Sequence, residues 1–153
     1  MASFLQLPSE RNTADESEGQ KMDATILAVD DTETMRAFYK MMLTAQGYAV
    51  ETADDGVDAL DKIKAAKPEL VLLDLVMPHL NGIETCRAIK SSDATRDVKV
   101  VMVTSRSDYP QISEAFAAGC DDYVVKPVDR TELLLKVKEL LKFSHLRQLL
   151  NHG

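Results

Sequence analysis

The chain has 153 residues, 45% of them hydrophobic, which is enough for one domain with an ordinary hydrophobic core. Its formal net charge of −7 argues against a nucleic-acid-binding surface, and no apolar stretch reaches the roughly 18 residues of a membrane span. Because the N-terminus also lacks a signal-peptide pattern, we expect a cytoplasmic protein whose two cysteines, Cys86 and Cys120, are reduced thiols.

Residues 1–23 are polar and acidic and have the periodicity of neither a helix nor a strand, so they predict a flexible N-terminal tail. From residue 24 onward, short aliphatic runs alternate with segments in which apolar residues recur at helical spacing. The predicted strands are residues 24–29, 49–53, 70–74, 98–104 and 122–125. The predicted helices lie within residues 30–47, 56–67, 83–92, 108–119 and 130–143.

The final segment, residues 144–153, continues the helical spacing through Leu146, Leu149 and Leu150. This pattern is typical of a terminal helix packed on the domain, and equally of the start of a linker or coiled-coil helix. The chain is therefore predicted to consist of the tail, one domain over residues 24–143 and a helical extension.

The alternation of five strands with five helices predicts an α/β fold, a doubly wound parallel sheet with helices on both faces. The strands are continuous aliphatic runs, as expected when both faces of a sheet are covered. In such a sheet the functional crevice lies at the carboxyl ends of the strands. We therefore look for chemistry in the residues that end each strand or follow it.

Polar residues stand at four of these strand ends. They are Asp30 and Asp31 after the first strand, Asp74 at the end of the third, Thr104 and Ser105 at the fourth, and Lys126 after the fifth. Each alone has an ordinary interpretation; for example, Asp31 or Thr32 would serve as a helix cap. Together the acids are costly, because two like charges 4 Å apart repel by about 4 kcal/mol at an effective dielectric of 20. A hard cation removes that cost, so the pattern predicts a Mg²⁺ site.

The lysine and the hydroxyl at the same edge suit a phosphoryl group. An ammonium acts as a point charge for phosphate, and a threonine hydroxyl can donate a hydrogen bond to it. A carboxylate beside Mg²⁺ can attack phosphorus and form an aspartyl phosphate. Asp74 is the predicted nucleophile.

Four segments carry a resemblance to a known family. "ILAVDD", "LVLLDLVMPHLNGIE", "VVMVTS" and "AGCDDYVVKP" resemble, in order and spacing, the receiver domain of two-component response regulators. The resemblance implies a flavodoxin-like sheet with strand order 2-1-3-4-5. It also implies a signalling switch and not an enzyme acting on other substrates. Its phosphoryl donor would be a phosphohistidine on a sensor histidine kinase or a histidine phosphotransfer protein.

The resemblance assigns roles to individual residues. Asp74 is the phosphoacceptor, and the implied Mg²⁺ ligands are Asp30, Asp31, Asp74 and the backbone carbonyl of Val76. The implied phosphate-contacting residues are Thr104, Ser105 and Lys126, with a cis peptide bond between Lys126 and Pro127. The implied switch residues are Thr104 and Tyr123, which change the surface that an unknown output partner binds. A homodimer through residues 144–153 or the adjacent face stays open.

Other functions fit the sequence less well. A phosphatase of the haloacid dehalogenase type needs a second acid where this chain has Val76. A flavin site needs a phosphate-cradling loop where Asp30 and Asp31 would repel a phosphate, and a Walker loop is absent. A phosphorylation-independent interaction module with the same architecture remains an alternative.

Two residues near the acceptor predict slow self-dephosphorylation. The Val76 side chain has no polar group to orient a hydrolytic water, and Arg106 either covers the phosphate or points to solvent.

Overall fold

The computed structural model describes residues 24–152, and over this range five strands alternate with five α-helices as predicted. The strands are β1 (Thr25–Val29), β2 (Ala49–Ala53), β3 (Leu70–Asp74), β4 (Lys99–Thr104) and β5 (Asp122–Val125). The helices are α1 (Glu33–Thr44), α2 (Gly56–Ala65), α3 (Gly82–Ser91), α4 (Ile112–Ala117) and α5 (Arg130–His152). The predicted tail at residues 1–23 lies outside the described residues.

The five strands form one parallel sheet in the order β2-β1-β3-β4-β5. The register places Val29 of β1 opposite Leu73 of β3, and Leu73 opposite Met102 of β4. The predicted flavodoxin-like fold is therefore confirmed. Because β1 and β3 are neighbours, the residues that end them lie side by side at the centre of the carboxyl edge.

Two hydrophobic cores lie on opposite faces of this sheet, because successive side chains of a strand point to opposite faces. One core, on the α1–α5 face, combines Ile26, Ala28, Leu70 and Leu72 with buried residues of α1 and α5. The other core combines the alternate strand residues with buried residues of α2, α3 and α4. All five residues of β3 are buried, which explains why this strand is aliphatic until its last residue, Asp74.

Side-chain caps begin four of the five described α-helices; at α5 the Asp129 carboxylate accepts a hydrogen bond from the Glu132 amide at 2.9 Å. The Thr32 hydroxyl accepts a hydrogen bond from the Met35 amide at 3.3 Å, and Asp55 accepts one from the Asp58 amide at 2.8 Å. Asn81 forms a capping box at the start of α3, in which a Glu84 oxygen accepts in return from the Asn81 amide at 3.0 Å. These short connections fix the backbone that surrounds the carboxyl edge.

Helix α4 is shorter than the predicted segment 108–119. A 3₁₀ turn, Tyr109–Gln111, replaces its beginning, since a residue that precedes proline disfavours the α-helical conformation and Tyr109 precedes Pro110. The Ser105 hydroxyl also donates a hydrogen bond to Asp108 at 2.7 Å, which holds the loop after β4 in a tight turn. Gly119 follows the helix with a φ of +108°, a conformation that a side chain would strain.

Helix α5 extends past the predicted end at residue 143 and continues to His152. Two contacts hold it against the amino edge of the sheet. The Lys99 ammonium lies 5.2 Å from the centroid of the Phe143 ring, and His145 Nε2 lies 2.8 Å from a Glu69 carboxylate oxygen. The helix thus runs along the sheet from its carboxyl edge to its amino edge. That residues 144–153 act as a separate extension stays a prediction. Within residues 24–152, none of the helices has both the length and the apolarity that a bilayer crossing requires.

Candidate functional site

Three carboxylates converge at the centre of the carboxyl edge. Asp30 and Asp31 follow β1, and Asp74 ends β3. One carboxylate oxygen from each residue lies within 4.8 Å of those of the other two. The sheet order produces this cluster, because Val29 and Leu73 are paired in register and the next residue of each strand is an aspartate. The structure thus brings together the three acids that the sequence analysis singled out.

Asp30 is fully buried and held by the start of α1. Its Oδ1 accepts hydrogen bonds from the amide and the hydroxyl of Thr32, both at 2.9 Å. Arg36 donates to the Asp30 backbone carbonyl at 2.8 Å. Since Thr32 caps the helix, Asp31 has no capping role, and its exposed side chain is available to a ligand. The structure thereby decides between the two caps that the sequence left open.

Asp74 is almost completely buried, with 6% of its surface exposed. Burial raises the pKa of its carboxyl from 3.8 to about 6, and the charges of Asp30 and Asp31 act in the same direction. The positive charge of Lys126 lowers the pKa of Asp74. This effect is larger than that of either neighbouring acid but smaller than the effect of burial. Near neutral pH the carboxyl of Asp74 is therefore mainly ionised, at a cost in free energy that a cation would relieve.

Lys126 lies between the two buried acids. Its Nζ is 3.3 Å from Asp30 Oδ2 and 3.5 Å from Asp74 Oδ2. Burial alone would lower the pKa of Lys126, but the charges of Asp74 and Asp30 outweigh it and raise the pKa. The Lys126 amide donates to the Thr104 carbonyl at 2.7 Å, and the Lys126–Pro127 peptide bond is cis, as the resemblance implied. The Lys126 ammonium thus shares its charge between two carboxylates.

The hydroxyls of Thr104 and Ser105 form hydrogen bonds within the loop that follows β4. Thr104 is fully buried, and its hydroxyl donates to the Ser105 carbonyl at 3.1 Å. Ser105 donates to Asp108, while Arg106 is exposed to solvent. Both hydroxyls therefore stand at the carboxyl edge, but their hydrogen bonds in this structure do not go to Asp30, Asp31 or Asp74.

The loop between Asp74 and α3 approaches the acid closely because Gly82 has no side chain. A Cβ at Gly82 would lie 2.3 Å from the Asp74 carbonyl oxygen and 2.8 Å from the Leu75 Cα. The Gly82 amide donates to the Leu75 carbonyl at 2.8 Å, and the Leu75 amide donates to the Val103 carbonyl at 2.8 Å. Val76, between these anchors and two residues after Asp74, is 53% exposed. The Asn-Gly pair of this loop thus serves both to cap α3 and to pack it against Asp74.

Tyr123 lies half-buried in an aromatic group on β5. Its ring centroid is 5.7 Å from that of Tyr109 and 6.0 Å from that of Phe116. The Lys136 ammonium lies 4.9 Å from the centroid of the Tyr123 ring. Because Tyr123 contacts both the segment before α4 and helix α5, a rotation of its side chain would change the surface between them.

Tyr39 is a residue near the acids that the sequence analysis did not single out. It lies in α1, is fully buried, and its hydroxyl has no hydrogen-bond partner within the described part of the chain. Burial raises the pKa of Tyr39, and the negative charges of Asp30 and Asp74 raise it further. The available signal was a tyrosine on the buried face of an amphipathic helix, where an aliphatic residue is more common.

The donors of this site fit a hard divalent cation. Carboxylate oxygens are the ligands that Mg²⁺ takes from proteins, usually one or two together with water and phosphate oxygens. Asp31 and Asp74 would supply such oxygens, while Asp30 already accepts from Thr32 and pairs with Lys126. With such a cation bound, the arrangement could offset the negative charge of a phosphoryl group and present one carboxylate to it as a nucleophile.

Comparison with known proteins agrees with this geometry. A family model described as the response regulator receiver domain matches residues 26–138. The transcriptional regulatory protein ResD of Bacillus subtilis is 39% identical over 123 residues, which are 80% of this chain and 50% of ResD. The response regulator MprA of Mycobacterium bovis is 38% identical over 121 residues, which are 79% of this chain and 52% of MprA. The chain thus spans about half the length of these relatives.

Two solved structures show the same fold. The chemotaxis protein CheY4 of Vibrio cholerae has a TM-score of 0.73 and 30% identity, over 77% of this chain and 98% of that protein. NtrX of Brucella abortus has a TM-score of 0.78 and 28% identity, over 85% of this chain and 29% of that one.

Proposed function

The chain belongs to the response regulator receiver domain family, and from this membership we propose that it is the phosphoryl-accepting switch of a two-component phosphorelay. The donor is a phosphohistidine on a sensor histidine kinase or a histidine phosphotransfer protein, and the acceptor is Asp74. One observation carries the proposal: the buried carboxylate of Asp74 lies within one cluster with two other acids and the Lys126 ammonium. A packed core alone does not need such a group.

Mg²⁺ is the proposed cofactor, held directly by Asp31, Asp74 and the backbone carbonyl of Val76, and by Asp30 largely through water. When bound, it would supply positive charge that offsets the carboxylates and the phosphoryl oxygens. The protein side of the site supports this assignment, since the acids offer oxygen donors and the Lys126 ammonium pairs with Asp30 and Asp74 but not with Asp31.

In the transfer step, an ionised Asp74 oxygen attacks the phosphorus atom in line with the phosphohistidine nitrogen. The O–P bond forms as the N–P bond breaks, and the bonding pair stays on the imidazole nitrogen, which then takes up a proton. Lys126 pairs with a phosphoryl oxygen after leaving the carboxylates it contacts at 3.3 and 3.5 Å. Because the pKa of Asp74 is about 6, most of this carboxyl is ionised and nucleophilic at neutral pH.

Phosphorylation then moves the loop after β4. The phosphoryl group adds roughly −1.5 to −2 charges and three acceptor oxygens. Thr104 exchanges its hydrogen bond to the Ser105 carbonyl for one to a phosphoryl oxygen, with Ser105 as a second contact of the phosphate. The space that Thr104 leaves lets Tyr123 turn inward and leave Tyr109 and Phe116. This change alters the α4–β5–α5 surface to which the output partner binds.

We infer a long lifetime for the phosphorylated form. Val76, two residues after the acceptor, is exposed, and its aliphatic side chain has no polar group that could orient a water for hydrolysis. The decay of phospho-Asp74 at fixed Mg²⁺, followed by intact mass, tests this. A Val76→Asn variant is expected to decay faster than wild type. Equal or slower decay of the variant would contradict the role given to Val76.

The output and the partners belong to the whole protein. Since the chain spans about half of ResD and MprA, its output passes either to another part of the same protein or to a separate partner. We further propose a cytoplasmic location, where the kinase domain would act, and no enzymatic activity beyond its own phosphorylation and dephosphorylation.

The deciding experiment is intact mass after incubation with acetyl phosphate and Mg²⁺. Wild type is expected to gain one phosphoryl group in the presence of Mg²⁺. No phosphoryl group should be added when EDTA replaces Mg²⁺ or when Asp74 is replaced by asparagine. Asp61→Asn, which removes an exposed carboxylate from α2, is the matched control and should be phosphorylated like wild type. A folded protein that is modified neither by acetyl phosphate nor by a phosphohistidine donor would instead be an interaction module of receiver architecture.

A further inference from the structure

Asp30 is an acid whose polar atoms are all engaged by neighbouring groups. The residue is fully buried, and its Oδ1 accepts hydrogen bonds from the amide and the hydroxyl of Thr32, both at 2.9 Å. Its Oδ2 lies 3.3 Å from the Lys126 ammonium. The Asp30 amide donates to the Ala53 carbonyl at 3.1 Å, and Arg36 donates to the Asp30 carbonyl at 2.8 Å. The carboxylate and its backbone are therefore fixed in one orientation.

The Thr32 hydroxyl connects this acid to the first turn of α1. A threonine hydroxyl has one proton to donate and lone pairs with which to accept. It donates its proton to Asp30 Oδ1 at 2.9 Å and accepts a hydrogen bond from the Met35 amide at 3.3 Å. A carboxylate in place of Thr32 would also cap the helix, but it could not donate to Asp30. The hydroxyl thus has a function at this position that a helix cap alone does not require.

The two bonds from Thr32 limit how a cation can use Asp30. Each oxygen of a carboxylate offers about two lone-pair positions to donors or metal ions. At Oδ1 both positions are taken by the amide and the hydroxyl of Thr32, whereas Lys126 takes only one at Oδ2. Asp30 can therefore present one oxygen to a cation or to a metal-bound water, and it cannot bind a cation through both oxygens.

This restriction affects small and large divalent cations differently. Mg²⁺ demands near-octahedral geometry, keeps several of its waters and takes one or two carboxylates from a protein. Ca²⁺ takes about six to eight oxygen ligands in a flexible arrangement and accepts carboxylates that bind through both oxygens. A fixed acid with one available oxygen suits a hydrated Mg²⁺ ion and denies Ca²⁺ a ligand of the kind that it prefers.

From these contacts we propose that Thr32 is a positioning residue that sets the cation selectivity of the acid site: by occupying Oδ1 of Asp30, it favours Mg²⁺ over Ca²⁺. The inference deepens the proposed function and rests on it through the metal. Direct coordination falls to Asp31 and Asp74, while Asp30 contributes through its remaining oxygen. Without the hydroxyl, a lone pair of Oδ1 becomes available and the carboxylate can turn, so that a larger ion can be held through both oxygens.

The test is Thr32→Val in the full chain, which keeps the branched shape and the backbone amide and removes the hydroxyl. Thr34→Val is the matched control, because Thr34 is exposed in the first turn of the same helix. Isothermal titration calorimetry without a phosphoryl donor measures the dissociation constants of Mg²⁺ and of Ca²⁺. The ratio of the Ca²⁺ constant to the Mg²⁺ constant is expected to fall about tenfold in Thr32→Val, the size of effect typical of groups that orient metal ligands. The ratio should stay at the wild-type value in Thr34→Val and in Thr32→Ser, which retains the hydroxyl.

Thermal unfolding in EDTA separates the loss of the helix cap from the change of selectivity. If Thr32→Val is less stable but keeps the wild-type ratio, Thr32 is only a cap and the proposal is wrong. A ratio that changes equally in Thr34→Val, or that Thr32→Ser does not preserve, also overturns it, as does a wild type that binds Ca²⁺ as tightly as Mg²⁺. If wild type selects Mg²⁺ but is not phosphorylated, the proposed function fails and the role of Thr32 stands; if it binds no Mg²⁺, both fail.

Discussion

Replacing Asp74 by asparagine should stabilise the metal-free protein at neutral pH, although it removes the proposed acceptor. Asparagine is nearly isosteric and carries no charge, so it removes the unfavourable ionisation of a carboxyl that is 6% exposed. The rise of the Asp74 pKa from 3.8 to about 6 corresponds to about 3 kcal/mol, at about 1.4 kcal/mol for each pH unit. For a domain of this size that is an increase of about 10 °C in melting temperature.

The pH dependence of this difference has a definite sign. Because the pKa of Asp74 is higher in the folded chain than in the unfolded one, the folded state retains a proton between pH 4 and 6 that the unfolded state has lost. Below the pKa of the unfolded chain the protonated carboxyl causes no loss of folding free energy. The folded state is progressively destabilised as the pH rises from about 4 through about 6. The advantage of Asp74→Asn over wild type should therefore be small near pH 4 and reach its full size above pH 7.

The assay is urea unfolding in EDTA, followed by circular dichroism because the chain has no tryptophan. Wild type, Asp74→Asn and the exposed-site control Asp61→Asn are compared at pH 4.5 and pH 7.5. The control is expected to stay within about 0.5 kcal/mol of wild type at both pH values. An Asp74→Asn variant no more stable than wild type at pH 7.5, or an advantage that does not change with pH, would refute the argument.

Three further predictions concern the same site and its support. Mg²⁺ should raise the melting temperature of wild type more than that of Asp30→Asn or Asp74→Asn, because ligand binding stabilises only the folded state that holds the site; equal shifts in all three proteins would contradict a carboxylate site. Lys126→Ala leaves two buried carboxylates without their ammonium and should lower the unfolding free energy of the metal-free protein by about 2 kcal/mol. In a double-mutant cycle, the same substitution should cost less in an Asp74→Asn background. Leu72→Ala, in the fully buried centre of β3, should cost about 2–5 kcal/mol of unfolding free energy, whereas Leu149→Ala on the exposed end of α5 should change it by less than about 0.5 kcal/mol.

The alternation of strands and helices was predictable because it depends on local patterns. Continuous aliphatic runs such as Leu70–Asp74 predict strands buried on both faces, and the helical spacing between them predicts the crossover connections. Once the sheet is parallel, all strands end at one edge, so Asp30 and Asp74 are expected at that edge; that they lie side by side depends on the neighbouring positions of β1 and β3. The lengths of the aliphatic runs and the spacing of the apolar residues were sufficient to predict the strands and helices, because these patterns involve only residues close in sequence.

What only the tertiary structure decided were the contacts made by individual atoms. The sequence could not tell whether Asp31 or Thr32 caps α1, because both side chains can cap and the choice depends on where the Asp30 carboxylate lies. The 3₁₀ turn before α4 has a local cause in Pro110, but the contacts that hold the end of α5 involve partners distant in sequence, such as Glu69 for His145. Tyr39 was overlooked for the same reason, since its distance in sequence from Asp74 hides a shared face of the sheet. Local periodicity determines which elements form, but the burial and charge of a site arise only where distant segments pack together.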